Sequence, residues 1–331
     1  MPGKIDDASS KPKRRGVYLL THPRSASNLF QTMMANQPGF QNSAYLIFEA
    51  SFTIFESFNH KESWSDWSED EWKTLQDGFQ KCFGKMLEEM ADAESKARRG
   101  GKQVFIKEHV IFMGPYPLLK SVYGEKGAPP PIIMHHPDEA QDAHTSVSSL
   151  PDSVLLSLQP IFQIRHPILM FPSMLRSQIK AGASKGFDRR VRATASLRFS
   201  RELYDWYLKQ GEETQPKVID ADDIMTDKAA VGQLCLETGM DPDSVQYEWA
   251  TREEPHPMKA IMLDKICSST GILPGLTAQG LTLEAEKAKW KTEFGEEDAE
   301  LLAKHVQDAI PDYEYLHSRR VRSVPSEKLH S

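Results

Sequence analysis

Two hydrophobic rhythms divide the chain, short apolar runs with the character of strands and longer stretches spaced at three and four. Gly16-Val17-Tyr18-Leu19-Leu20 is the first short run, and Thr21 to Ser25 breaks it with Pro23. From Asn28 to Ala35, Leu29, Met33 and Met34 recur at helical spacing until Pro38-Gly39. This segment predicts strand, tight loop, helix. Residues 44 to 58 carry Tyr45, Phe48, Phe52 and Phe55 on one helical face, a stripe that reads either as core packing or as the wall of an apolar pocket. Ser68 and Glu71 form a capping-box pair ahead of Trp72, Leu75, Phe79, Phe83, Met86 and Met90, predicting a long amphipathic helix that Gly100-Gly101 stops.

Val104-Phe105-Ile106 opens a second strand that runs into Lys107-Glu108-His109, and Pro160 to Ile164 a third that leads into Arg165-His166-Pro167 and an apolar helix through Leu175. Lys217 to Asp220 reads as a fourth strand. Between Gly124 and Asp152 the composition shifts to Pro, Ser, His and Asp, the mark of a long surface loop with the length of a lid. Gly295 to Ile310 predicts a helix with an acidic start, closed by Pro311. Strands alternating with helices predict an α/β fold with a central parallel sheet, helices on both faces and ligands at the strand C-terminal ends. The expected organisation is a basic tail over 1–15, one domain over 16–318 and a tail over 319–331.

A chain of 331 residues with 39% hydrophobic and 26% charged residues, six Trp and fifteen Phe has the composition of an ordinary folded protein. Its formal net charge of -7 argues against a nucleic-acid partner while leaving room for one local basic pocket. Cys82, Cys235 and Cys267 are far apart and form no CxxC pair, so neither a disulfide framework nor a cysteine-held metal is expected. Met1 to Arg15 has no apolar leader segment, and no stretch approaches the roughly 18 apolar residues of a membrane span. The expectation is a cytoplasmic enzyme with no membrane partner; the oligomeric state is not legible.

The most informative chemistry lies in His22-Pro23-Arg24-Ser25-Ala26-Ser27-Asn28, where a compact turn between a strand and a helix aims backbone N–H groups at one anion. It lacks the two glycines and the lysine of the Walker A loop, which disfavours ATP hydrolysis. Lys107 and His109 share one face of their strand and Glu108 takes the other. His22 and His166 read as packing or hydrogen-bonding residues of their loops. The pair His135-His136 suggests metal ligation, but no matching cluster accompanies it in sequence, so no metal is expected.

These segments together resemble the sulfotransferase family. Its first signature is a Pro, then Lys or Arg, then a Ser-rich turn, matched by PRSAS from Pro23 to Ser27. The second is an Arg after a strand with a Ser eight positions later, matched by Arg165 and Ser173 in IRHPILMFPS. The third is Lys-x-His at a strand end, matched by Lys107 and His109. The resemblance spans about residues 16 to 318 and is nearest to fungal and bacterial small-molecule members, with the later VIDADDI and DYEYL segments in support. It implies a P-loop-like three-layer α/β fold and a sulfuryl donor, 3′-phosphoadenosine 5′-phosphosulfate (PAPS), released as PAP. Arg24, Ser25, Ala26, Ser27 and Asn28 would hold the phosphosulfate, Arg165 and Ser173 the 3′-phosphate, with His109 as base and Lys107 and Arg24 stabilising developing charge. The acceptor would be a small apolar or aromatic hydroxyl compound, met by Phe48, Phe52, Phe55 and the 124–152 loop. Cytosolic animal members carry lysine where Arg24 stands and an adenine-stacking tryptophan where Leu29 stands, so adenine must be met elsewhere. Their glycine-rich late motif with Trp-Lys is echoed only by Trp290-Lys291 after Gly275 and Gly280. Two rival readings share the scaffold: a lyase or cyclase using His109 as acid or base, and a non-catalytic nucleotide-binding module.

Overall fold

A computed structural model describes residues 14–58, 60–97, 102–139, 142–182 and 184–323. Residues 1–13 of the expected basic tail, the Gly100-Gly101 stop and residues 324–331 of the expected C-terminal tail lie outside them. The elements run β1 (Gly16–Thr21), α1 (Ser27–Met33), β2 (Phe40–Ala44), α2 (Phe48–Ser57), α3 (Glu69–Ala97), β3 (Gln103–His109), α4 (Val110–Met113), α5 (Pro115–Tyr123) and α6 (Asp152–Leu156). There follow β4 (Leu158–Ile164), α7 (Pro167–Lys180), α8 (Arg189–Thr194), α9 (Arg198–Leu208), β5 (Lys217–Asp220), α10 (Ala221–Thr226), α11 (Lys228–Thr238), α12 (Pro257–Ser268), α13 (Leu283–Phe294) and α14 (Glu296–His317).

The five strands form one all-parallel sheet in the order β2-β3-β1-β4-β5. β1 is buried along its whole length, as a central strand covered on both faces must be. Its side chains alternate between two cores. Tyr18 and Leu20 join the larger one with α2, α3, α7, α9 and α14, while Val17 and Leu19 join the smaller one with α1 and α11. The result is three layers. After β1 the chain turns to the β3 side and after β4 to the β5 side, which opens a crevice at the carboxyl ends of β1, β3 and β4.

Gly16 sets the approach of β1 to β3. A methyl group there would meet the Val104 carbonyl oxygen at 2.0 Å and the Val104 side chain at 2.7 Å. We predict that Gly16→Ala is destabilised by at least about 2 kcal/mol, read as a lower urea midpoint at unchanged m-value, because backbone must shift in the centre of the sheet. A midpoint like that of the wild type would contradict this.

Several expectations are corrected. β2 was not read from the sequence. The stripe at 44–58 enters its helix only at Phe48, because Tyr45 adopts φ 58° and turns the chain. α14 continues through Pro311 to His317, held by Leu316 in the core and by the Tyr313 hydroxyl donating to Asp220 Oδ2 at 3.0 Å. That bond joins the VIDADDI and DYEYL segments. The tail boundaries at 15 and 319 are too tight. Arg15 N donates to Ser157 O at 2.9 Å, Arg320 Nε to Asp223 Oδ2 at 2.6 Å, and Val321 N to Val218 O at 2.8 Å. The described residues between Gly124 and Asp152 contain neither helix nor strand, as expected of a loop, yet Ile132, Met134 and Leu150 are buried. That loop is pinned by Ser149 N donating to Met113 O in α4 at 2.7 Å.

No described helix is long and apolar enough to cross a membrane.

Candidate active site

The loop after β1 is wound by two residues in the left-handed region, Arg24 at φ 67° and Ala26 at φ 63°. Neither is glycine, so the loop stores strain of about 1–3 kcal/mol at each position, and its surroundings hold it there. Ser25 N donates to His22 O at 3.2 Å, and Gln163 Nε2 of β4 donates to Ser25 O at 2.7 Å. His22 is buried, with Nδ1 at 2.9 Å from Pro23 O and Nε2 at 2.8 Å from Thr194 O, so it braces the loop from within. The Ser25 hydroxyl is buried and has no partner. A buried donor left open inside a backbone concavity is a site for an anion.

Lys107 and His109 stand together at the end of β3 on one face. His109 is oriented by a residue the sequence did not single out, Thr21, its register partner on β1. The Thr21 hydroxyl reaches Glu108 O at 2.9 Å and His109 Nδ1 at 2.6 Å; with its one hydrogen directed to Glu108 O, the ring N–H is the donor in the second contact. The lone pair then resides on Nε2. Burial first, and then the nearby cations Lys107, His22 and Arg24, push the His109 pKa well below the usual histidine value, so the imidazole is neutral at neutral pH.

Lys107 Nζ donates to Asn28 Oδ1 at 2.5 Å and sits 4.3 Å from the centre of the Tyr45 ring. Burial pushes its pKa down to about 7. The Tyr45 ring lies 4.9 Å from that of His109. Glu108, on the other face, is fully buried and pushed up to about 8 by that burial; its Oε1 accepts from Ile47 N at 2.8 Å and so holds the turn that presents Tyr45.

Arg24, Arg165 and Ser173, far apart in sequence, converge. Arg24 Nε donates to Ser173 Oγ at 3.0 Å and Arg24 Nη1 to Met262 O at 2.8 Å. Arg165 Nη1 donates to Arg24 O at 3.1 Å and Nη2 to Leu276 O at 2.8 Å, leaving its buried Nε without a partner. Burial lowers the pKa of both guanidiniums, and neither bridges a carboxylate among the described residues. Lys265 of α12 is also depressed, by burial and then by Arg165 and Arg24, which marks it as a further cation of the cluster. Held by carbonyls and the Ser173 hydroxyl, with Asp222 and Asp220 near Arg165 but in no ion pair with it, this cluster fits an anionic ligand.

The aromatic stripe divides. Phe48 is part-exposed, 5.8 Å from Tyr45 and 5.0 Å from Phe112, whose ring lies 5.4 Å from His109. Phe52 is half-buried, 6.0 Å from Phe48 and beneath the Arg190 guanidinium. Phe55 is 5% exposed and packs edge-on to Phe58 and to Phe112. The loop at 124–152 hydrogen-bonds to α3, α6 and α9 and, through Ser149, to Met113 of α4, the residue after Phe112 of the His109 ring cluster. Trp290 is fully buried and Lys291 pairs with Glu296 and Glu300, so this echo of the late motif joins neither cation cluster. An open cavity of about 1140 Å³ instead adjoins Arg165 through Leu276, lined by Lys228, Tyr247, Trp249 and residues 270–277.

A strained loop, a cation cluster and a neutral imidazole stand at neighbouring strand ends of this α/β protein. No protein-family model matches the chain. The chain is 31% identical over 341 aligned residues to the sulfotransferase ppzF of Metarhizium rileyi, covering 95% of this chain and 99% of that protein. It is 32% identical over 342 to the sulfotransferase ppzF of Metarhizium majus, covering 95% and 98%. Among solved structures, the sulfotransferase domain from the curacin biosynthetic pathway aligns over 86% of this chain and 97% of that domain, at 14% identity and a TM-score of 0.43. On the strength of its curated relatives, the chain belongs to the sulfotransferase family.

Proposed function

We propose that this sulfotransferase moves the sulfuryl group of PAPS to the hydroxyl of a small apolar or aromatic acceptor, with His109 as general base. The observation that carries this reading is the Thr21-oriented His109, with Nε2 free, beside Lys107 and the unpartnered Ser25 hydroxyl.

The donor site is supported by the fit of the residues present to a molecule with two separated anionic ends. The Arg24–Asn28 nest and Lys107 suit the phosphosulfate, and Arg165, Ser173 and Lys265 suit the 3′-phosphate. The Ser173 hydroxyl accepts from Arg24, which leaves its own hydrogen for a phosphate oxygen. The faces of Tyr247 and Trp249 in the adjoining cavity offer the adenine contact that Leu29 cannot. When bound, PAPS supplies the electrophilic sulfuryl group and a phosphate leaving group. His109 Nε2 takes the proton of the acceptor hydroxyl. Lys107 and Arg24 offer N–H donors where negative charge grows on the leaving oxygen. Phe48, Phe112 and Tyr45 form the apolar wall beside the base, a setting suited to an aromatic acceptor.

Two titrations set the pH dependence. His109 must be neutral, and its depressed pKa keeps it so down to well below the usual histidine range. Lys107 must be charged, and it loses its proton as pH rises through about 7. We predict that kcat/KM, which reports the free enzyme, declines with rising pH above about 7 and holds on the acid side past the ordinary histidine midpoint. A profile that climbs through pH 7 to 9 would overturn these assignments.

The function is tested by supplying PAPS with a panel of phenols and alcohols and following PAP release. Acceptor-dependent release supports transfer. Conversion of an acceptor without PAPS supports the lyase or cyclase reading, and PAP binding without turnover across a broad panel supports a nucleotide-binding module.

A further inference from the structure

The long loop contains a second cluster of chemically capable side chains, outside the reaction site. His135, Asp142 and His144 bring one ligand atom each to within 4.8 Å of one another. His135 Nδ1 lies 3.3 Å from Asp142 Oδ2, and His144 Nε2 lies 3.9 Å from the same oxygen, beyond hydrogen-bond reach. The Asp142 side chain is only 1% exposed. Its Oδ2 accepts from His136 N at 2.8 Å, while its Oδ1 is buried without a partner. His144 is the more telling residue, because both of its ring nitrogens are buried and neither has a partner. A buried carboxylate with one oxygen unpartnered and an adjacent, largely buried imidazole with both nitrogens unpartnered form a donor set suited to a cation. No lysine or arginine bridges Asp142 among the described residues.

We propose that His135, Asp142 and His144 form a zinc-binding site that ties the 124–152 loop together. Two imidazoles and a carboxylate are ordinary zinc ligands, with a fourth position left for water. Bonds of about 2.0–2.2 Å at tetrahedral angles place ligand atoms about 3.4 Å apart; Asp142 Oδ2 lies 3.3 Å and 3.9 Å from the two imidazoles and all three ligand atoms fall within 4.8 Å, so small side-chain rotations bring them onto one ion. His136 stands outside the set: its Nδ1 accepts from Asp138 N at 3.2 Å and its ring lies edge-on to Phe83.

The ligands are placed without the metal. Gln80 of α3 grips the His135 backbone from both sides, accepting from its N–H at 2.9 Å and donating to its carbonyl at 2.8 Å. The carbonyl of Ala143, between the other two ligands, accepts from Asp152 N at 2.8 Å. The Asp152 carboxylate accepts from Thr145 N and Oγ1, and Trp206 Nε1 donates to Thr145 Oγ1 at 2.8 Å. Zinc would therefore join two loop strands already docked on α3 and α9, a structural crosslink separate from the His109 site.

The test uses the tag-free full chain, stripped with a chelator and dialysed against Zn²⁺, then examined by metal analysis, calorimetric titration and thermal unfolding. The expected result is one tightly retained zinc per chain, a higher melting temperature with Zn²⁺, and the strong visible bands of four-coordinate Co²⁺ on substitution. His144→Gln and the near-isosteric Asp142→Asn, each checked for folding by circular dichroism, should each lose at least about 100-fold in zinc affinity, the upper end of what loss of a supporting contact costs. Absence of stoichiometric zinc, unchanged affinity in both folded variants, or preferential retention of Fe²⁺ or Mg²⁺ would overturn the assignment.

Discussion

Replacing His109 by Asn is expected to lower kcat by about 10²- to 10⁴-fold, the range a positioned general base contributes, while the KM for PAPS moves little. The split follows from geometry. Nε2 is the basic nitrogen in the tautomer in which Thr21 gives its hydrogen to Glu108 O and accepts from Nδ1. An asparagine amide can keep the contact with Thr21 but offers no basic nitrogen in its place. The anion nest, Arg165 and Ser173 are untouched by the change. If His109 served only to pack against Tyr45 and Phe112, the variant would lose stability and donor affinity along with turnover. Steady-state kinetics with saturating acceptor, set beside a urea titration, distinguishes the two.

Arg165→Lys is expected to weaken PAP binding by about 10- to 150-fold, the equivalent of losing one charge-assisted contact of about 1.5–3 kcal/mol. Charge is retained, but a lysine cannot hold the Arg24 and Leu276 carbonyls and still present a further N–H to a phosphate. Calorimetric titration supplies the number, and adenosine 5′-phosphate supplies the control. Because Arg165 is assigned to the 3′-phosphate, its replacement should change the affinity of that control ligand far less. Equal losses for both ligands would place Arg165 in general support of the loop.

Four of the five strands were legible because each is an apolar run buried on both faces. β2 was not, because its middle carries Gln41, Asn42 and Ser43, whereas β5, the other edge strand, keeps the apolar pair Val218-Ile219. An edge strand with polar side chains just after Pro38-Gly39 looks like a loop; its pairing with β3 and the bonds of Gln41 to Glu89 and Asp92 secure it. Pro311 misled in the opposite sense, since burial of Leu316 and the Tyr313–Asp220 bond carry the helix past it.

The site divides along the same line. Strand alternation sufficed to pair Lys107 with His109, and the resemblance to the sulfotransferase family implied Arg24, Arg165 and Ser173 as separate phosphate contacts. Their convergence into one cluster depends on neighbouring strand ends and on carbonyls of the 262 and 276 segments, which no local pattern reveals. Thr21 and Lys265 were missed for this reason. Tyr45 was read as one rung of a helical stripe; its positive φ takes it out of the helix and onto Lys107 and His109. Periodicity places Phe55 on the same face as Phe48 without saying what covers it; Phe58 and Phe112 do. The partners of the His135-His136 pair were hidden likewise, since Asp142 and His144 reach His135 only when the loop closes on Gln80.

The most direct measurement is the product mass from an acceptor incubated with PAPS and either the wild type or folded His109→Asn. Sulfuryl transfer through His109 predicts an acceptor heavier by one sulfuryl group, formed in step with PAP by the wild type and about 10²- to 10⁴-fold more slowly by the variant. A product formed without PAPS, or sulfated at the same rate by both proteins, would contradict it.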